Sequence, residues 1–352
     1  MTRIDTITID GRRIGPDDPP FIIAEMSANH GGDLDRALRI IRLAADCGAD
    51  AIKFQAYRAE TMTLDLASPG FVIEGDNPWT GTKLYDLYAG AATPYDWFPE
   101  LFRASRDADI IPFASPFDHA AVDMLEALDA PAYKIASFEL VDVDLIDRCA
   151  RTGKPMIVST GMGSEQEIAD GLAAALGAAT REVALLKCTS AYPSDPAEAN
   201  LRTIGAMRER FGVPVGLSDH TIGINVATAA CALGACIVEK HFIDAREPAT
   251  ADSVFSALPE ELTELVAACR EAHDALGQSH FGPAEREAQS LAFRRSLYAI
   301  DDIAAGATLS RDNVASIRPG FGLPVKSLPE VIGRTAKDAI KRGTPLSWDL
   351  IA

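Results

Sequence analysis

Apolar positions along the chain fall into two alternating rhythms. Short β-prone runs begin at Phe21 (FIIAE), Ala51 (AIKFQ), Ile110 (IIPFAS), Ala132 (AYKIAS), Pro155 (PMIVST), Val183 (VALLKCTS), Pro214 (PVGLSD) and Cys236 (CIVEKHF), eight in all. Runs that are apolar throughout suit parallel strands buried on both faces. Between them, apolar residues return at helical spacing. Leu34 to Cys47 carries Leu34, Ala37, Leu38, Ile41, Ala44 and Ala45, with Asp33 as N-cap and Gly48 just past the end. Further amphipathic stretches cover 96–108, 119–127, 145–151, 165–176, 201–210, 225–233 and 259–276. Eight strand–helix units predict an α/β fold, a (β/α)8 or TIM barrel.

Ahead of the first unit, Ile4 to Ile9 alternates apolar and polar, Asp10-Gly11 follows, and Arg12-Arg13-Ile14 returns. This reads as a small β-hairpin with a tight turn. The longest connection, 56–93, is rich in Gly, Pro, Trp and Tyr; loops of that length are usually functional. Near Phe281-Gly282-Pro283 the rhythm stops. The tail has short β-prone pieces such as Ser296 to Ile300, Gly and Pro punctuation, and a helical turn near Ser310 to Asn313. The expected division is a barrel domain over 1–282 that includes the hairpin, a linker over 283–290, and a small domain over 291–352. So small a domain buries little core alone and is expected to pack on a partner.

Of the 352 residues, 47% are hydrophobic and 24% charged, which excludes a disordered, collagenous or low-complexity chain. No apolar run reaches the roughly 18–20 residues of a membrane span, and the first residues meet charge at once. A cytoplasmic protein with no membrane partner is expected. The six Cys show no metal-finger spacing, as in a reduced chain with buried thiols. A net charge of −18 repels a polyanion, so nucleic acid is not an expected partner. A small anion can still bind where a few Lys converge.

A barrel of this kind gathers its active site at the C-terminal ends of its strands. The first run ends in Glu25, and the second carries Lys53 and Gln55 on one side by the period of two. The third reaches Ser115 and Phe117, and the fourth holds Lys134, Ser137 and Glu139. The fifth ends Ser159-Thr160-Gly161, and the sixth has Lys187, Thr189, Ser190 and Tyr192. The seventh gives Ser218-Asp219-His220 and the eighth Glu239-Lys240-His241. A purely structural barrel would not need so many polar strand ends.

His220 and His241 end consecutive strands. Such strands lie about 4.8 Å apart, so the two rings can share a divalent cation such as Mn²⁺. Asp219 and Glu239 are expected to orient the rings. Each His alone reads equally well as a satisfied barrel histidine; the adjacent pair favours a metal. Structural zinc would need further soft ligands that the spacing does not offer.

Lys53, Lys134, Lys187 and Lys240 all lie on strands, where an unpaired ammonium is costly. They are expected to hold a phosphate and a carboxylate. Pairing of each with an acidic neighbour competes with this, as does a Schiff base on one of them. Ser159 to Gly163 and Thr189-Ser190 offer hydroxyls and loop N–H groups to phosphate oxygens. Glu25 reads as a base, as a clamp on sugar hydroxyls, or simply as the partner of Lys53. Trp79, Tyr85, Tyr88 and Trp97 read as packing residues or as a cover over a sugar, and Arg318 to Gly322 as a rigid turn presenting an Arg.

Several motifs resemble the sialic acid synthases: Ile23-Ala24-Glu25, Tyr133 to Glu139 (YKIASFE), Lys187 to Pro193 (KCTSAYP), Gly216 to His220 (GLSDH) and Glu239 to Phe242 (EKHF). Within that family, Ser27-Ala28-Asn29-His30, Leu84 to Tyr88 (LYDLY), Ser115 to Asp118 (SPFD), Ser296 to Ala299 (SLYA) and Arg318 to Gly322 (RPGFG) resemble the pseudaminic acid branch. The resemblance covers nearly the whole chain. It implies a TIM barrel followed by an antifreeze-like (SAF, β-clip) domain. It also implies a transferase that joins phosphoenolpyruvate to the open-chain aldehyde of an N-acylated amino sugar. The products are a nine-carbon 2-keto acid and phosphate. For this branch the sugar is 2,4-diacetamido-2,4,6-trideoxy-L-altrose; N-acetylneuraminate and legionaminic acid synthesis are alternatives with the same chemistry. A Schiff-base pyruvate aldolase and a non-catalytic carbohydrate- or ice-binding protein are more remote readings.

By the same resemblance, His220 and His241 hold a divalent metal (Mn²⁺, Mg²⁺ or Co²⁺). Lys53, Ser115, Lys134, Ser137, Ser159, Ser190 and Ser218 bind phosphoenolpyruvate, and Glu25, Gln55, Phe117, Glu139, Tyr192, Asp252 and Arg318 face the sugar. Glu25, Lys134 and His241 are the catalytic set. Arg318 resembles a residue that reaches into the barrel of the other subunit, as in a domain-swapped homodimer. Ser115, Ser190 and Phe138 stand where the N-acetylneuraminate branch has Thr, Asn and Gly. That departure fits a sugar with an apolar C6 methyl.

Overall fold

The computed structural model describes residues 3–75, 79–177 and 179–352. The first two residues of the N-terminal reading, and part of the 56–93 connection, lie outside these. The described residues divide into two compact units, Met1–Gly277 and Gln278–Ala352.

In the first unit, strands β1 (Ile7–Ile9) and β2 (Arg12–Ile14) form the expected hairpin, Ile7 opposite Ile14. Its turn residues Asp10 and Gly11 both have positive φ, 48° and 76°, as a two-residue turn matching strand twist requires. Eight parallel strands then close into a barrel: β3 (Phe21–Glu25), β4 (Ala51–Ala56), β5 (Ile111–Pro116), β6 (Tyr133–Ile135), β7 (Met156–Ser159), β8 (Val183–Cys188), β9 (Val215–Asp219) and β10 (Ile237–His241). The last strand pairs with β3, bringing His241 opposite Glu25. The long helices between strands are α1 (Leu34–Asp46), α4 (Phe98–Asp107), α5 (His119–Ala127), α6 (Val143–Ala150), α7 (Glu165–Gly177), α8 (Arg202–Phe211), α9 (Asn225–Ala232) and α10 (Pro259–Leu276). The Asp33 carboxylate caps α1 as expected, accepting from Arg36 N–H at 3.2 Å.

The 56–93 connection is not a bare loop. It holds α2 (Ala59–Met62) and α3 (Leu84–Ala91), and Val72 bridges Lys83 across its middle. Short helical turns with no long apolar stripe escape a periodicity search.

Two apolar layers follow from the alternation of strand residues. Ile22, Ala24, Ile52, Phe54, Val158 and Leu185 pack outward with the helices. Phe21, Ile23, Ala51, Phe113, Ile157 and Ile237 point inward and pack with Ile7, Ile9 and Ile14 of the hairpin. The hairpin thus stoppers the N-terminal end of the barrel, and the interior opens only at the strands' C-terminal ends.

The second unit has its own core, including Leu297, Ile303, Leu309, Val314, Ile340 and Leu346. Strands β11 (Ser296–Ala299) and β12 (Val314–Ile317) pair antiparallel, and a short α11 (Leu328–Val331) follows. The expected helical turn at Ser310 to Asn313 is present as a turn closed by Asn313 N–H to the Ser310 carbonyl at 3.3 Å.

Candidate active site

Above the apolar floor, the inward positions become charged. Lys53 stands 2.5 Å from Glu25 and donates to Ser115 Oγ at 3.1 Å. Gln55 Nε2 donates to Glu25 Oε1 at 3.3 Å. Glu239 lies 3.7 Å from the Lys53 ammonium and 3.6 Å from that of Lys134, and it accepts from Ser218 Oγ at 3.2 Å. All of these side chains except Gln55 are buried. Burial opposes the charge of Glu239, but Lys134, Lys53 and the two imidazoles outweigh it and hold the carboxyl at about 2. Burial also depresses Lys134, and Glu239 only partly offsets that. The cluster has two ammonium groups for two carboxylates.

The four-lysine array expected from the sequence is therefore a pair. Lys187 and Lys240 fall on the opposite parity and point away from the interior. Lys240 pairs with Asp219 at 2.8 Å and donates to the Thr221 carbonyl; Lys187 donates to the Cys188 carbonyl at 3.0 Å and Thr189 Oγ1 at 2.7 Å. The same parity overturns the expected ring partners. Asp219 is taken by Lys240, Thr221 N–H and Thr221 Oγ1, and Glu239 by Ser218 and the lysines. The Thr189 carbonyl lies 2.9 Å from His220 Nδ1, and Asp252 lies 3.5 Å from His241 Nδ1.

The two imidazoles do meet. Their centroids are 5.3 Å apart and their planes 61°. Tyr192 lies over His220 at 4.4 Å and Phe255 beside His241 at 4.9 Å. Nδ1 of His220 donates to the Thr189 carbonyl, so the ring in its neutral form presents Nε2 with a lone pair. His241 Nδ1 is buried without a hydrogen bond. Two rings this close, one beside a carboxylate at Nδ1 and one beside a carbonyl at Nδ1, can turn their Nε2 lone pairs to a divalent ion. Among the described residues no group of three His, Cys, Asp or Glu is placed to hold one, so protein ligands would number two, with the rest left to substrate or water.

Beside them lies a cradle of hydroxyls. Ser159 Oγ is buried with no hydrogen-bond partner, and Ser137 donates to Cys188 Sγ at 3.2 Å. Gly161, at φ +40°, passes so close that a Cβ there would lie 2.5 Å from Ser137 Cβ and 2.8 Å from Ser190 Oγ. Cys188 was missed by sequence reasoning, which took it only as one of six buried thiols. It does belong to that set, all free and buried, but its inward parity sets it 3.7 Å from Ser190 and 3.9 Å from His220. Burial raises its thiol, yet His220, Ser137 and Lys134 outweigh that and bring it to about 7.

A cavity of about 680 Å³ opens above, lined on one side by Gln55, Ser190, Tyr192, His241 and Asp252. Burial raises the Asp252 carboxyl, but His241, Ser27 Oγ and the Ala28 N–H outweigh it and leave it low. Glu139 sits nearby with a buried, unpartnered oxygen, and burial lifts its carboxyl to about 7. Phe117 does not line the cavity; it backs Tyr57, ring edge on at 5.3 Å. Arg318 lies in the second unit, exposed at the end of β12. In the Ser27 to His30 motif, Ser27 and Ala28 line the cavity, whereas Asn29 and His30 are scaffolding. Asn29 donates to the Phe242 carbonyl at 2.9 Å and to Ser256 Oγ at 2.8 Å, and accepts from Thr250 at 2.6 Å, which ties down the loop bearing Asp252. His30 bonds Thr93 at 3.1 Å and meets Trp97 edge on.

A barrel with a paired-lysine floor, a hydroxyl cradle and two imidazoles at its mouth defines a class of sugar-acid synthase, and the chain belongs to the NeuB family, whose model matches residues 40–281. A SAF domain matches 294–352. The chain is 41% identical over 333 residues to the pseudaminic acid synthase of Helicobacter pylori, covering 94% of this chain and 97% of that protein. It is 33% identical over 336 residues to the N,N'-diacetyllegionaminic acid synthase of Legionella pneumophila, covering 94% of each. Among solved structures, the N-acetylneuraminic acid synthetase of Leptospira borgpetersenii, in complex with citrate, superposes with a TM-score of 0.73 at 34% identity, covering 82% of this chain and 96% of that one.

Proposed function

We propose that the protein condenses phosphoenolpyruvate with 2,4-diacetamido-2,4,6-trideoxy-L-altrose, the reaction of a pseudaminic acid synthase. The observation that carries this is the joining of Lys53 and Lys134 through Glu239 beneath the His220–His241 pair. The 41% identity to a pseudaminic acid synthase supports the choice of sugar.

In this reading Lys53, Lys134 and Ser115 grip the phosphate and carboxylate of the donor, and Ser137, Ser159 and Ser190 complete the phosphate cradle. Ser218 holds Glu239 in place between the ammonium groups. Gln55, Glu139, Tyr192 and Asp252 orient the sugar so that its aldehyde faces C3 of the enol, with Phe117 supporting the wall from behind. His220 and His241 would hold Mn²⁺, Mg²⁺ or Co²⁺, which supplies Lewis acidity toward a carbonyl oxygen. C3 attacks the aldehyde carbon: the C2–C3 π pair becomes the new C–C bond, C2 is left as an oxocarbenium, and the aldehyde oxygen takes up a proton from water. Glu25 then accepts a proton from a water that adds to C2. The bond from C2 to the phosphate oxygen then breaks as the C2 hydroxyl gives its proton to the departing phosphate, leaving the 2-keto group and free phosphate.

The pairing of Lys53 with Glu25 in the free site does not oppose this. An entering anion competes for the ammonium and leaves the carboxylate able to take a proton.

We further propose that the working form is a domain-swapped homodimer in which Arg318 of one copy completes the sugar site of the other. Exposed Phe138, Met162, Ile222 and Val254 on loops beyond the barrel strands, and exposed Phe321 beside Arg318, are what such an exchange would cover. Among the described residues no helix is long and apolar enough to cross a membrane; we place the reaction in the cytoplasm, where phosphoenolpyruvate is made.

Mass spectrometry of products from a panel of amino sugars with phosphoenolpyruvate and Mn²⁺ tests the reading. The nine-carbon diacetamido acid from the L-altrose sugar is expected. Product only from the legionaminic precursor or from N-acetylmannosamine shifts the sugar, and borohydride trapping of pyruvate on a Lys replaces the mechanism by a Schiff base.

A further inference from the structure

Helix α3 carries Leu84, Leu87, Tyr88 and Ala91, yet none of its residues is buried. An amphipathic helix ordinarily hides such a face against a core. Here all four residues line the cavity over the barrel mouth. Ile73 also lines it, as does Phe138, a large aromatic that is 60% exposed. Apolar side chains left open in one cavity mark a place where something binds.

The wall is fixed rather than loose. Tyr88 meets Tyr57 edge on at 5.9 Å, and Tyr57 meets Phe117 edge on at 5.3 Å. Leu84 N–H bonds the Phe71 carbonyl at 2.9 Å, and Lys83 pairs with Asp65 at 2.6 Å. The same cavity is also lined by Gln55, Ser190, His241 and Asp252. Its lining is therefore of two kinds, apolar and polar. A ligand that fits it has a reactive, hydroxyl-rich side toward the imidazoles and a hydroxyl-poor side toward α3.

We propose that the apolar wall of α3 together with Phe138 selects the amino sugar, receiving the deoxy carbon and an acylamido methyl and disfavouring a sugar hydroxylated at that carbon. This rests on the condensation proposed above and assigns the residues that choose its acceptor. A hydroxyl pressed against this wall loses water and gains no partner. An apolar pocket rejects an added hydroxyl by about 10²-fold, and removing part of the wall should erase most of that.

The test is kcat/KM at saturating phosphoenolpyruvate for three aldehydes: 2,4-diacetamido-2,4,6-trideoxy-L-altrose, its 6-hydroxy analogue, and the D-manno diastereomer of the trideoxy sugar. The enzymes are wild type, Leu87→Asn and Phe138→Ala. Phe138 is exposed, so its truncation leaves the fold intact should Leu87→Asn fold poorly. The expected result is a wild-type preference of about 10²-fold for the 6-deoxy sugar over its 6-hydroxy analogue. That preference should fall at least tenfold in the variants while KM for phosphoenolpyruvate holds. A ratio unchanged in both variants, or a wild type that prefers the 6-hydroxy sugar, overturns the assignment. A wild type that prefers the D-manno diastereomer overturns the L-altrose reading but supports the wall, provided the variants then lose their 6-deoxy preference.

Discussion

The ammonium of Lys53 stands 2.5 Å from the carboxylate of Glu25, directly across the β3–β4 ladder. Of the readings that the sequence left as rivals, the structure has the ion pair, and the proposed mechanism draws on the same two groups. Glu25→Gln keeps the shape and the Gln55 contact but removes the base. Its kcat should fall about 10²–10⁴-fold with little change in KM for phosphoenolpyruvate, read by steady-state phosphate release. Lys53→Ala should behave differently. It strips Glu25 of its cation and leaves Glu239 with Lys134 alone, a loss on the order of 3–5 kcal/mol of stability by urea denaturation.

The Gly161 position is set by steric closeness. A methyl there meets Ser137 Cβ at 2.5 Å in a backbone conformation with φ +40°. Gly161→Ala should push Ser137 and Ser190 apart and raise KM for phosphoenolpyruvate at least tenfold, with a much smaller effect on the KM of the sugar. Equal rises in both constants would separate the cradle from the donor.

Lys240 and Asp219 form a fully buried pair at 2.8 Å outside the catalytic interior. Lys240→Ala leaves Asp219 uncompensated and should cost about 3–5 kcal/mol in a denaturant titration. Lys240→Ala with unchanged stability would show that water replaces the ammonium there.

Glu139 gives a pH signature. Its carboxyl is raised by burial from 4.5 to about 7, so the folded chain holds this proton more tightly than the unfolded one. That contribution is complete below the unfolded value and is lost as pH rises through about 7. Glu139→Gln has no such proton to lose. Its thermal midpoint relative to wild type should climb between pH 5 and pH 8. A constant difference over that interval contradicts a buried, protonated Glu139.

The barrel was legible because eight apolar runs alternate with helical stripes, and each run is long enough to show its period. The interior residues Glu25, Lys53, Gln55, Ser115, Lys134, Ser159 and Ser218 were legible by parity from those runs. Applied to every run, the same parity would have removed Lys187 and Lys240 from the site and added Cys188 and Glu239. Charge alone groups four strand lysines that parity separates into two inward and two outward. Asp252 and the Thr189 carbonyl were out of reach by any period, because loops place them through contacts such as Asn29 to Ser256. Helix α3 was hidden for the opposite reason: its apolar face packs on no core, so its pattern is short and mixed.

In this account His220 and His241 act together on the acceptor aldehyde, beside a donor gripped by Lys53 and Lys134. Phosphate release from phosphoenolpyruvate, followed before and after a chelator and again after Mn²⁺ is restored, tests it most directly. Release should require the amino sugar, stop on chelation and return with the ion in wild type, while His220→Ala stays inactive throughout. Release that continues under chelation, or that His220→Ala sustains at the wild-type rate, contradicts the account.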